Sequence, residues 1–256
     1  MSDRFSVAGR LALVTGASSG LGRHFARLLA GEGATVILAA RRMDRLKALE
    51  AAIQEAGGQA MAVEMDVTNA GSVQAAFDQV MAVYSSPPDI IVNNSGLSRE
   101  GFFTRMEEAD FDLVMDTNVK GVWLVARTFA GALARAGKTG SMINIASIAG
   151  RGVSHTLSAY CASKAACEHM TRGMALEMAR YGVRVNAIGP GYFETEINDA
   201  FLASEEGQRM LQRIPQRRFG EHDELSGALL LLASEAGSYM TGTTLFVDGG
   251  HSLNTL

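Results

Sequence analysis

Short runs of apolar and β-branched residues alternate along this chain with longer stretches that repeat apolar positions at helical spacing. This alternation is typical of parallel sheets whose strands are connected by helices. The runs 89–92 and 142–145 are almost continuously apolar, as in strands that helices cover on both faces. The runs that predict strands are 11–15, 35–40, 60–65, 89–92, 141–145, 184–188 and 244–247. The pattern therefore predicts an α/β fold with a parallel sheet of about seven strands and helices on both faces.

Helical spacing is clear over residues 44–55, where Asp44 is placed to cap the start of a helix. Similar periodicity covers residues 157–181. It lapses over residues 189–219, and we expect this region to form a lid over the substrate. Because no linker or internal repeat interrupts the pattern, residues 1–256 are predicted to form one domain.

The composition narrows the range of expected partners. The 256 residues carry a formal net charge of -4, and acidic and basic positions are interspersed. Without a basic stripe to bind a phosphate backbone, nucleic acid is not expected as a partner. No apolar run approaches the ~20 residues that span a bilayer, and the first residues lack the pattern of a secretory signal. We therefore expect a cytoplasmic protein without membrane attachment.

The cysteines and histidines do not indicate a metal site. Cys161 and Cys167 are expected to be packing residues, because two cysteines close together on one helix make no disulfide framework. The five histidines are dispersed and form no tight cluster with acidic residues or cysteines. No metal is therefore expected.

A glycine-rich turn directly follows the first predicted strand. Residues 15–22 read T-G-A-S-S-G-L-G and lead into an apolar helical stretch at 24–30. Glycines in such a turn let backbone amides approach a pyrophosphate, whose charge the following helix N-terminus stabilises. Glycines also mark ordinary tight turns, but this position between a strand and a helix favours a dinucleotide site. The predicted fold is accordingly a Rossmann-like, doubly wound sheet.

The end of the second predicted strand indicates which dinucleotide is bound. A carboxylate there would bond the ribose 2′-hydroxyl and repel a 2′-phosphate. The chain instead has Arg41 and Arg42, with no carboxylate before Asp44. Because a guanidinium can pair with a phosphate and stack on adenine, we predict that NADP(H) is preferred and that NAD(H) is possible. The alternative is that the two arginines are only a solvated start to the next helix.

Tyr160 and Lys164 lie four residues apart in the helical stretch 157–181, so their side chains share one face. A phenol is a poor base at neutral pH, and a nearby ammonium favours its ionised form. Taken alone, such a pair is more often a packed ring beside a lysine that extends to solvent. Ser147, however, follows a predicted strand at the carboxyl edge of the sheet, where open α/β sheets place their ligands. These three residues are therefore candidate catalytic residues.

Three motifs together closely resemble the short-chain dehydrogenase/reductase family, in its compact single-domain type. They are the T-G-x-x-x-G-x-G turn at 15–22, N-N-S-G at 93–96 and Y-C-A-S-K at 160–164. The likeness extends over essentially the whole chain. Ser95 stands where the family usually has alanine, a small change at a position expected to contribute mainly backbone.

The resemblance implies a role for each catalytic residue. Ser147 would hold the substrate oxygen, and Tyr160 would be the acid/base. Lys164 would support Tyr160 electrostatically and bind the ribose. Asn118 would be the fourth catalytic position, which distorts its helix locally and holds a water that relays protons to Lys164. A buried amide satisfied by neighbouring backbone is a structural alternative for Asn118 that does not exclude this role.

The resemblance also implies which residues contact the dinucleotide. Residues 66–67 would border the adenine, Asn93 and Gly96 the adenosine ribose, and Thr195 the nicotinamide amide. The full predicted set is Gly16, Ser18, Ser19, Gly20, Leu21, Gly22, Arg41, Arg42, Asp66, Val67, Asn93, Ser95, Gly96, Tyr160, Lys164, Pro190, Gly191, Phe193 and Thr195.

The combined pattern predicts an oxidoreductase that interconverts a ketone or aldehyde and the corresponding alcohol by hydride transfer. An NAD(H)-preferring alcohol dehydrogenase of the same family is one alternative. An isomerase or dehydratase that retains its cofactor is another, although its usual members have a longer substrate domain. A dinucleotide-sensing binding protein is the third, although such relatives tend to lose the tyrosine or the lysine.

The substrate lining is expected from residues 98–103, 148–156 and 192–211. Its mixture of aromatic, aliphatic and small residues favours an apolar or moderately polar ketone over a highly charged one. It does not distinguish steroid, sugar, acyl-thioester and small alicyclic ketones. The final segment 243–250 resembles a strand and turn that commonly build a subunit interface, so we expect a homo-oligomer, most simply a homotetramer.

Overall fold

A parallel sheet forms the centre of the structure, a computed structural model that describes residues 4–193 and 204–253. Within these residues the strands are Leu11–Thr15 (β1), Thr35–Ala40 (β2), Gln59–Glu64 (β3), Ile90–Asn93 (β4), Gly140–Ile145 (β5), Val183–Pro190 (β6) and Thr244–Val247 (β7). They form one seven-stranded sheet in the order β3-β2-β1-β4-β5-β6-β7, with every neighbouring pair parallel. The predicted α/β fold is confirmed.

Helices cover both faces of the sheet, and each face has its own apolar core. The α-helices of the described residues are Gly20–Gly31 (α1), Met43–Glu55 (α2), Ala70–Tyr84 (α3), Glu108–Met115 (α4), Val122–Ala136 (α5), Ser158–Met178 (α6), Glu205–Leu211 (α7) and Ser226–Ala233 (α8). Phe25 of α1 and Leu229 of α8 share one core with Val14, whereas Phe77 of α3 shares the other core with Leu13. The two strand neighbours enter opposite cores because side chains alternate across a strand.

Short helical turns complete these elements. A π-helix at Asp116–Gly121 joins α4 to α5. The 3-10 turns are Phe103–Arg105, Ile148–Gly150, Ala179–Tyr181, His222–Leu225 and Glu235–Gly237.

The winding direction of the sheet reverses between β1 and β4. The chain passes from β1 outward through β2 to β3, and then returns to add β4, β5, β6 and β7 on the other side. Open α/β sheets bind ligands outside the carboxyl ends of the strands at such a reversal. The glycine-rich turn after β1, the segment after β4 and Ser147 after β5 all lie at this edge. The doubly wound, Rossmann-like arrangement is therefore also confirmed.

The bounds of β3, β4, β5 and β6 differ from the predicted ones by one or two residues. The predicted strand 89–92 is found at Ile90–Asn93, and Asp89 before it contacts β1, since its carboxylate accepts the Leu11 backbone N–H at 2.9 Å. At the other end of the sheet, β6 continues two residues beyond its predicted end. Pro190, its last residue, lies in register with Val247 of β7, so pairing with the final strand sets this boundary.

Helix α2 begins at Met43, and its N-cap position is Arg42. The expectation that Asp44 caps this helix is therefore wrong. Asp44 lies in the first turn, where a carboxylate interacts favourably with the positive end of the helix dipole.

The predicted lid, residues 189–219, is described in part. Helix α7 lies within it, and the Ser204 hydroxyl caps that helix by accepting the Gly207 N–H at 3.2 Å. Residues 194–203 lie outside the described residues. The lid and the single domain 1–256 stay predictions. None of the helices in the described part of the chain has the length and apolar character needed to span a bilayer.

Candidate active site

Tyr160 and Lys164 lie on the first turns of α6, and the fold brings their side chains together. The Lys164 Nζ is 5.7 Å from the centre of the Tyr160 ring and donates a 2.8 Å hydrogen bond to the carbonyl oxygen of Ile145. Lys164 is only 6% exposed, so its charge acts in a region from which water is largely excluded. The ammonium is therefore held at the carboxyl end of β5, beside the phenol.

Ser147 follows β5 by two residues and begins the turn Ile148–Gly150. Its Oγ accepts the Ala149 backbone N–H at 3.1 Å, which orients the hydroxyl and leaves its proton to donate elsewhere. This turn packs against α6. A Cβ added at Gly150 would be 3.0 Å from the carbonyl group of Lys164, so a side chain here would crowd the backbone of the helix. Sequence reasoning missed Gly150, whose role arises only from the close approach of the turn and the helix.

Asn118 is buried in the π-helix between α4 and α5, where the helix is locally widened. Its Oδ1 accepts the Leu97 N–H at 2.9 Å, and its Nδ2 donates to the Leu97 carbonyl at 2.8 Å. The same Nδ2 also donates to Ser163 Oγ at 2.9 Å, and that hydroxyl donates to the carbonyl of Tyr160 at 2.7 Å. Asn118 thus joins the segment after β4 to the helix that carries Tyr160. Its role in a proton relay stays a prediction.

Gly96 lies where Asn118 and Lys164 approach each other. A Cβ at this position would be 3.2 Å from Asn118 Oδ1 and 3.5 Å from Lys164 Nζ. Of the predicted catalytic residues, Asn118 and Lys164 therefore converge on the segment that was expected to contact the ribose.

The turn after β1 forms a cradle whose backbone path requires glycine at particular positions. Gly16 and Gly20 have φ angles of 66° and 51°, in the left-handed region that favours glycine. A Cβ on Gly22 would collide with the Gly16 carbonyl oxygen and with Nδ2 of Asn94. Helix α1 begins at Gly20, so its N-terminal amides are directed to this turn. The cradle fits a pyrophosphate group.

The segment after β4 is hydrogen-bonded to this cradle. Thr15 Oγ1 accepts the backbone N–H groups of Asn94 and Ser95, each at 3.0 Å, and Asn94 Nδ2 donates to the Thr15 carbonyl at 3.0 Å. Asn93 is 2% exposed, and its Oδ1 is a buried acceptor with no hydrogen-bond partner among the described residues. Buried acceptors are rarely left unpaired, so this atom is consistent with a ligand that donates to it.

Arg42 reaches back to the cradle from the start of α2. Its Nη2 donates to Ser18 Oγ at 2.8 Å and to Ser19 Oγ at 2.9 Å. Arg41 is exposed and lies close enough to Asp66 to act on its carboxylate. Burial raises the pKa of Asp66, but hydrogen bonds from Thr68 and the charge of Arg41 outweigh burial and hold it below its ordinary value. Guanidinium and hydroxyl groups together fit a phosphate monoester.

The remaining predicted cofactor residues occupy different surroundings. Val67 packs on the π-helix, where a Cβ added at Gly121 would be 2.9 Å from its Cγ2. Pro190 ends β6, and the Gly191 N–H donates to the carbonyl of Val247 at 2.9 Å. Phe193 is 5% exposed and belongs to an apolar core, so its ring is a packing group. Thr195 lies outside the described residues. Leu21 is partly buried against the same core as Phe193.

Tyr192 extends the site beyond Tyr160. Burial raises the pKa of Tyr192, and the nearby Tyr160 phenol raises it further, so both phenols lie in one region. The His251 ring lies 5.5 Å from the Tyr192 ring. Burial also lowers the pKa of His251, which favours its neutral form.

A cavity of about 370 Å³ adjoins Tyr192. Its other lining residues are Phe193, Gln216, Arg218, Gly220, Glu224, Phe246, Val247, Asp248, Gly249 and Gly250.

Sequence reasoning missed His251, because a histidine four residues after the final strand carries no local signal that it will lie beside Tyr192. Both cysteines, Cys161 and Cys167, are buried and free. Among the residues that the structure describes, no three side chains of the histidine, cysteine or acidic types are grouped to hold a metal ion.

Comparisons with known proteins place this chain in a family. A family profile described as enoyl-(acyl carrier protein) reductase matches residues 16–252. Gluconate 5-dehydrogenase of Gluconobacter oxydans is 36% identical over 251 residues, which cover 97% of this chain and 96% of that protein. The chain belongs to the short-chain dehydrogenase/reductase family. The protein is thus an NAD(P)-dependent oxidoreductase.

Other members of the short-chain dehydrogenase/reductase family show how widely this fold is used. The (3R)-3-hydroxyacyl-CoA dehydrogenase of Canis lupus familiaris is 37% identical, with 98% of this chain and 99% of that protein covered. The crystal structure of a gluconate 5-dehydrogenase from Burkholderia cenocepacia J2315, in complex with NADP and tartrate, has a TM-score of 0.93. Its sequence is 37% identical, and the match covers 98% of both chains. Similar folds therefore act on different substrates.

Proposed function

We propose that this protein is an NADP(H)-dependent oxidoreductase that interconverts a ketone or aldehyde with the corresponding alcohol, and that Tyr160 is its acid/base. The observation that carries the proposal is the buried Lys164 ammonium 5.7 Å from the Tyr160 ring, at the edge where the glycine cradle lies. An ammonium this close can stabilise the negative charge that develops on the phenol oxygen during proton transfer. Tyr160 protonates the substrate oxygen in reduction and removes that proton in oxidation.

Ser147 and Asn118 have supporting roles in this proposal. The Ser147 hydroxyl accepts a backbone N–H, so its proton is directed away from the turn and can be donated to the substrate oxygen. Asn118 holds the segment after β4 against α6 through Leu97 and Ser163. It thereby keeps the helix that carries Tyr160 in place, and we retain its predicted role in proton relay to Lys164.

The dinucleotide fits the cradle through groups that this chain supplies. When bound, its nicotinamide ring gives or accepts the hydride. The close packing at Gly16 and Gly22 shapes the turn whose backbone would hold the pyrophosphate, and the buried Oδ1 of Asn93 can accept a hydrogen bond from the dinucleotide. Arg42, with the Ser18 and Ser19 hydroxyls, supports NADP(H) over NAD(H), because these groups can bind a 2′-phosphate. The NADP complex of the Burkholderia relative supports the same preference.

For the substrate, we propose a polar, hydroxylated ketone of the sugar-acid kind, which is more polar than the apolar or moderately polar ketone that the sequence favoured. Tyr192, which lies near Tyr160, and His251 beside it offer neutral hydrogen-bonding groups, and Gln216 and Asp248 line the adjoining cavity. Gluconate, the substrate named for two relatives, has this chemistry. A strongly apolar steroid would leave these polar groups unpaired.

The test is a panel of ketones assayed with NADPH and NADH. The panel contains 5-keto-D-gluconate, acetoacetyl-CoA, an oxo-steroid and cyclohexanone. We expect net NADPH oxidation, greatest with the sugar acid. Binding of NADPH without net oxidation by any ketone or aldehyde would contradict the oxidoreductase proposal and favour a sensing or isomerising role. A preference for NADH would contradict the cofactor assignment alone.

We propose in addition that the protein is a homotetramer. β7 is an edge strand of the sheet, and its residues are only half-buried. Tyr239 and Leu253, close to β7 in the sequence, are exposed apolar side chains. An exposed edge strand favours pairing with a second copy. Light scattering after size exclusion tests this, and a monomeric or dimeric mass would contradict it. A cytoplasmic location stays a prediction.

A further inference from the structure

A series of buried, hydrogen-bonded polar side chains connects the sheet to helix α6. Asn93 Nδ2, at the end of β4, donates to Asn144 Oδ1 of β5 at 2.9 Å. Asn144 Nδ2 donates to Thr171 Oγ1 of α6 at 2.9 Å, and Thr171 Oγ1 donates to the carbonyl of Cys167 at 2.8 Å. Asn144 and Thr171 are fully buried. Each bond therefore fixes the direction of the next, and this part of the network is satisfied without solvent.

This series of hydrogen-bonded side chains lies beside the contact that orients Lys164. Asn144 directly precedes Ile145, whose carbonyl oxygen accepts the Lys164 ammonium. Thr171 lies two helical turns beyond Lys164, on the same side of α6. The same strand and the same helix are thus joined twice, once through the Asn144 amide and once through the Lys164 ammonium. No local sequence motif contains both Asn144 and Thr171.

We propose that Asn144 and Thr171 are positioning residues, which hold α6 against the end of β5 and so keep the Lys164 ammonium beside the Tyr160 phenol. This inference rests on the proposed function, because both residues act through Lys164 and Tyr160. Loss of the Thr171 hydroxyl leaves the buried Asn144 Nδ2 without an acceptor, and the strand and helix separate or rotate to relieve it. The ammonium then moves relative to the phenol, and charge interactions in a buried site change steeply with distance.

The side of β5 that faces away from α6 offers a matched control. Ser141 is buried in the same strand, and its Oγ donates to the carbonyl of Leu232 in α8 at 2.7 Å. Ser141 and Asn144 are three residues apart, so they point to opposite faces of the sheet. Ser141→Ala therefore removes a buried hydrogen bond of the same kind without touching α6.

The experiment is a pH titration of tyrosinate absorbance on the enzyme saturated with NADP⁺. The signal of Tyr160 is the difference between each protein and the same protein carrying Tyr160→Phe. We expect Thr171→Val, which keeps the side-chain shape, to raise the titration midpoint by about one pH unit, a tenfold change in proton affinity. Thr171→Ser, which keeps the hydroxyl, should restore the original midpoint. Ser141→Ala should lower thermal stability and leave the midpoint unchanged.

An unchanged midpoint in Thr171→Val would overturn the inference, and so would an equal rise in Ser141→Ala, because general loosening would then explain both. If Thr171→Val does not fold, Thr171→Cys provides a weaker acceptor of similar size and should raise the midpoint in the same direction. Turnover retained by Tyr160→Phe would instead contradict the proposed function. The two failures are therefore distinguishable.

Discussion

Arg42, at the N-cap of α2, donates a 2.8 Å hydrogen bond to the hydroxyl of Ser18 in the turn after β1. This contact holds a guanidinium beside the cradle, where the proposed function puts the 2′-phosphate of NADP(H). We expect Arg42→Ala to lower kcat/KM with NADPH by roughly 10- to 100-fold, the loss of a charge-assisted hydrogen bond, and to change kcat/KM with NADH little. Steady-state kinetics with both dinucleotides measures the difference. Arg45→Ala, an exposed residue one turn into the same helix, is the control.

An equal loss with both dinucleotides would show that Arg42 acts on the fold of the turn rather than on the 2′-phosphate. A comparable effect of Arg45→Ala would mean that overall surface charge, rather than the Ser18 contact, is responsible.

Replacement of Tyr160 by phenylalanine removes the hydroxyl and retains the ring that packs near Lys164. We expect a fall in kcat of roughly 100- to 10,000-fold, because proton transfer to the substrate oxygen loses its general acid/base. Fluorescence titration should show nearly unchanged NADPH binding. Tyr181→Phe, beyond the end of the same helix, should retain full activity. Substantial turnover in Tyr160→Phe would contradict the mechanism.

Gly22 allows the backbone of the cradle to pack closely, because a Cβ at this position would collide with the Gly16 carbonyl and the Asn94 amide. We expect Gly22→Ala to lower the free energy of unfolding by about 1–3 kcal/mol and to weaken NADPH binding, because the turn must move. Urea unfolding and fluorescence titration measure the two effects.

Gly31 provides the control for Gly22 at the other end of α1. A Cβ at Gly31 meets no atom within 4 Å. We expect Gly31→Ala to preserve NADPH binding and to raise stability by up to about 1 kcal/mol, since alanine loses less backbone entropy on folding. Equal binding losses in the two variants would contradict the cradle argument.

His24 of α1 gives the folded state a dependence on pH. Burial and the neighbouring His222 lower its pKa, while Asp223 raises it less strongly, so the folded pKa lies below the ordinary value of 6.5. The unfolded chain then binds the proton more readily. The stability contributed by neutral His24 is present above about pH 6.5 and is lost as pH falls through the folded pKa.

We therefore expect Tm to fall between pH 7.5 and 5.5, and His24→Gln to make this fall shallower. Differential scanning calorimetry across this range measures both slopes, with the exposed loop residue His155→Gln as the control. Identical slopes for the original protein and His24→Gln would contradict the assignment. His251, whose pKa burial also lowers, should add to the fall with the same sign.

The periodicity of the sequence was sufficient to predict the parallel sheet and the placement of its motifs. Strands buried on both faces are apolar throughout, so Ile90–Asn93 and Gly140–Ile145 could be recognised from composition within a few residues. The pairing of Tyr160 with Lys164 also follows from local spacing, because residues four apart on a helix share a face. These features depend on residues that are close together in the sequence, so tertiary packing has little influence on them.

Only the tertiary structure decided which distant groups meet. The partner of Lys164 is the Ile145 carbonyl, the partners of Asn118 are Leu97 and Ser163, and Thr171 completes the chain from Asn144. The sequence placed Arg41 and Arg42 side by side, but the path of the backbone into α2 brings Arg42 to Ser18. Such contacts join segments that are far apart in sequence, and their geometry comes from the packing of helices on the sheet rather than from any periodicity that a single segment contains.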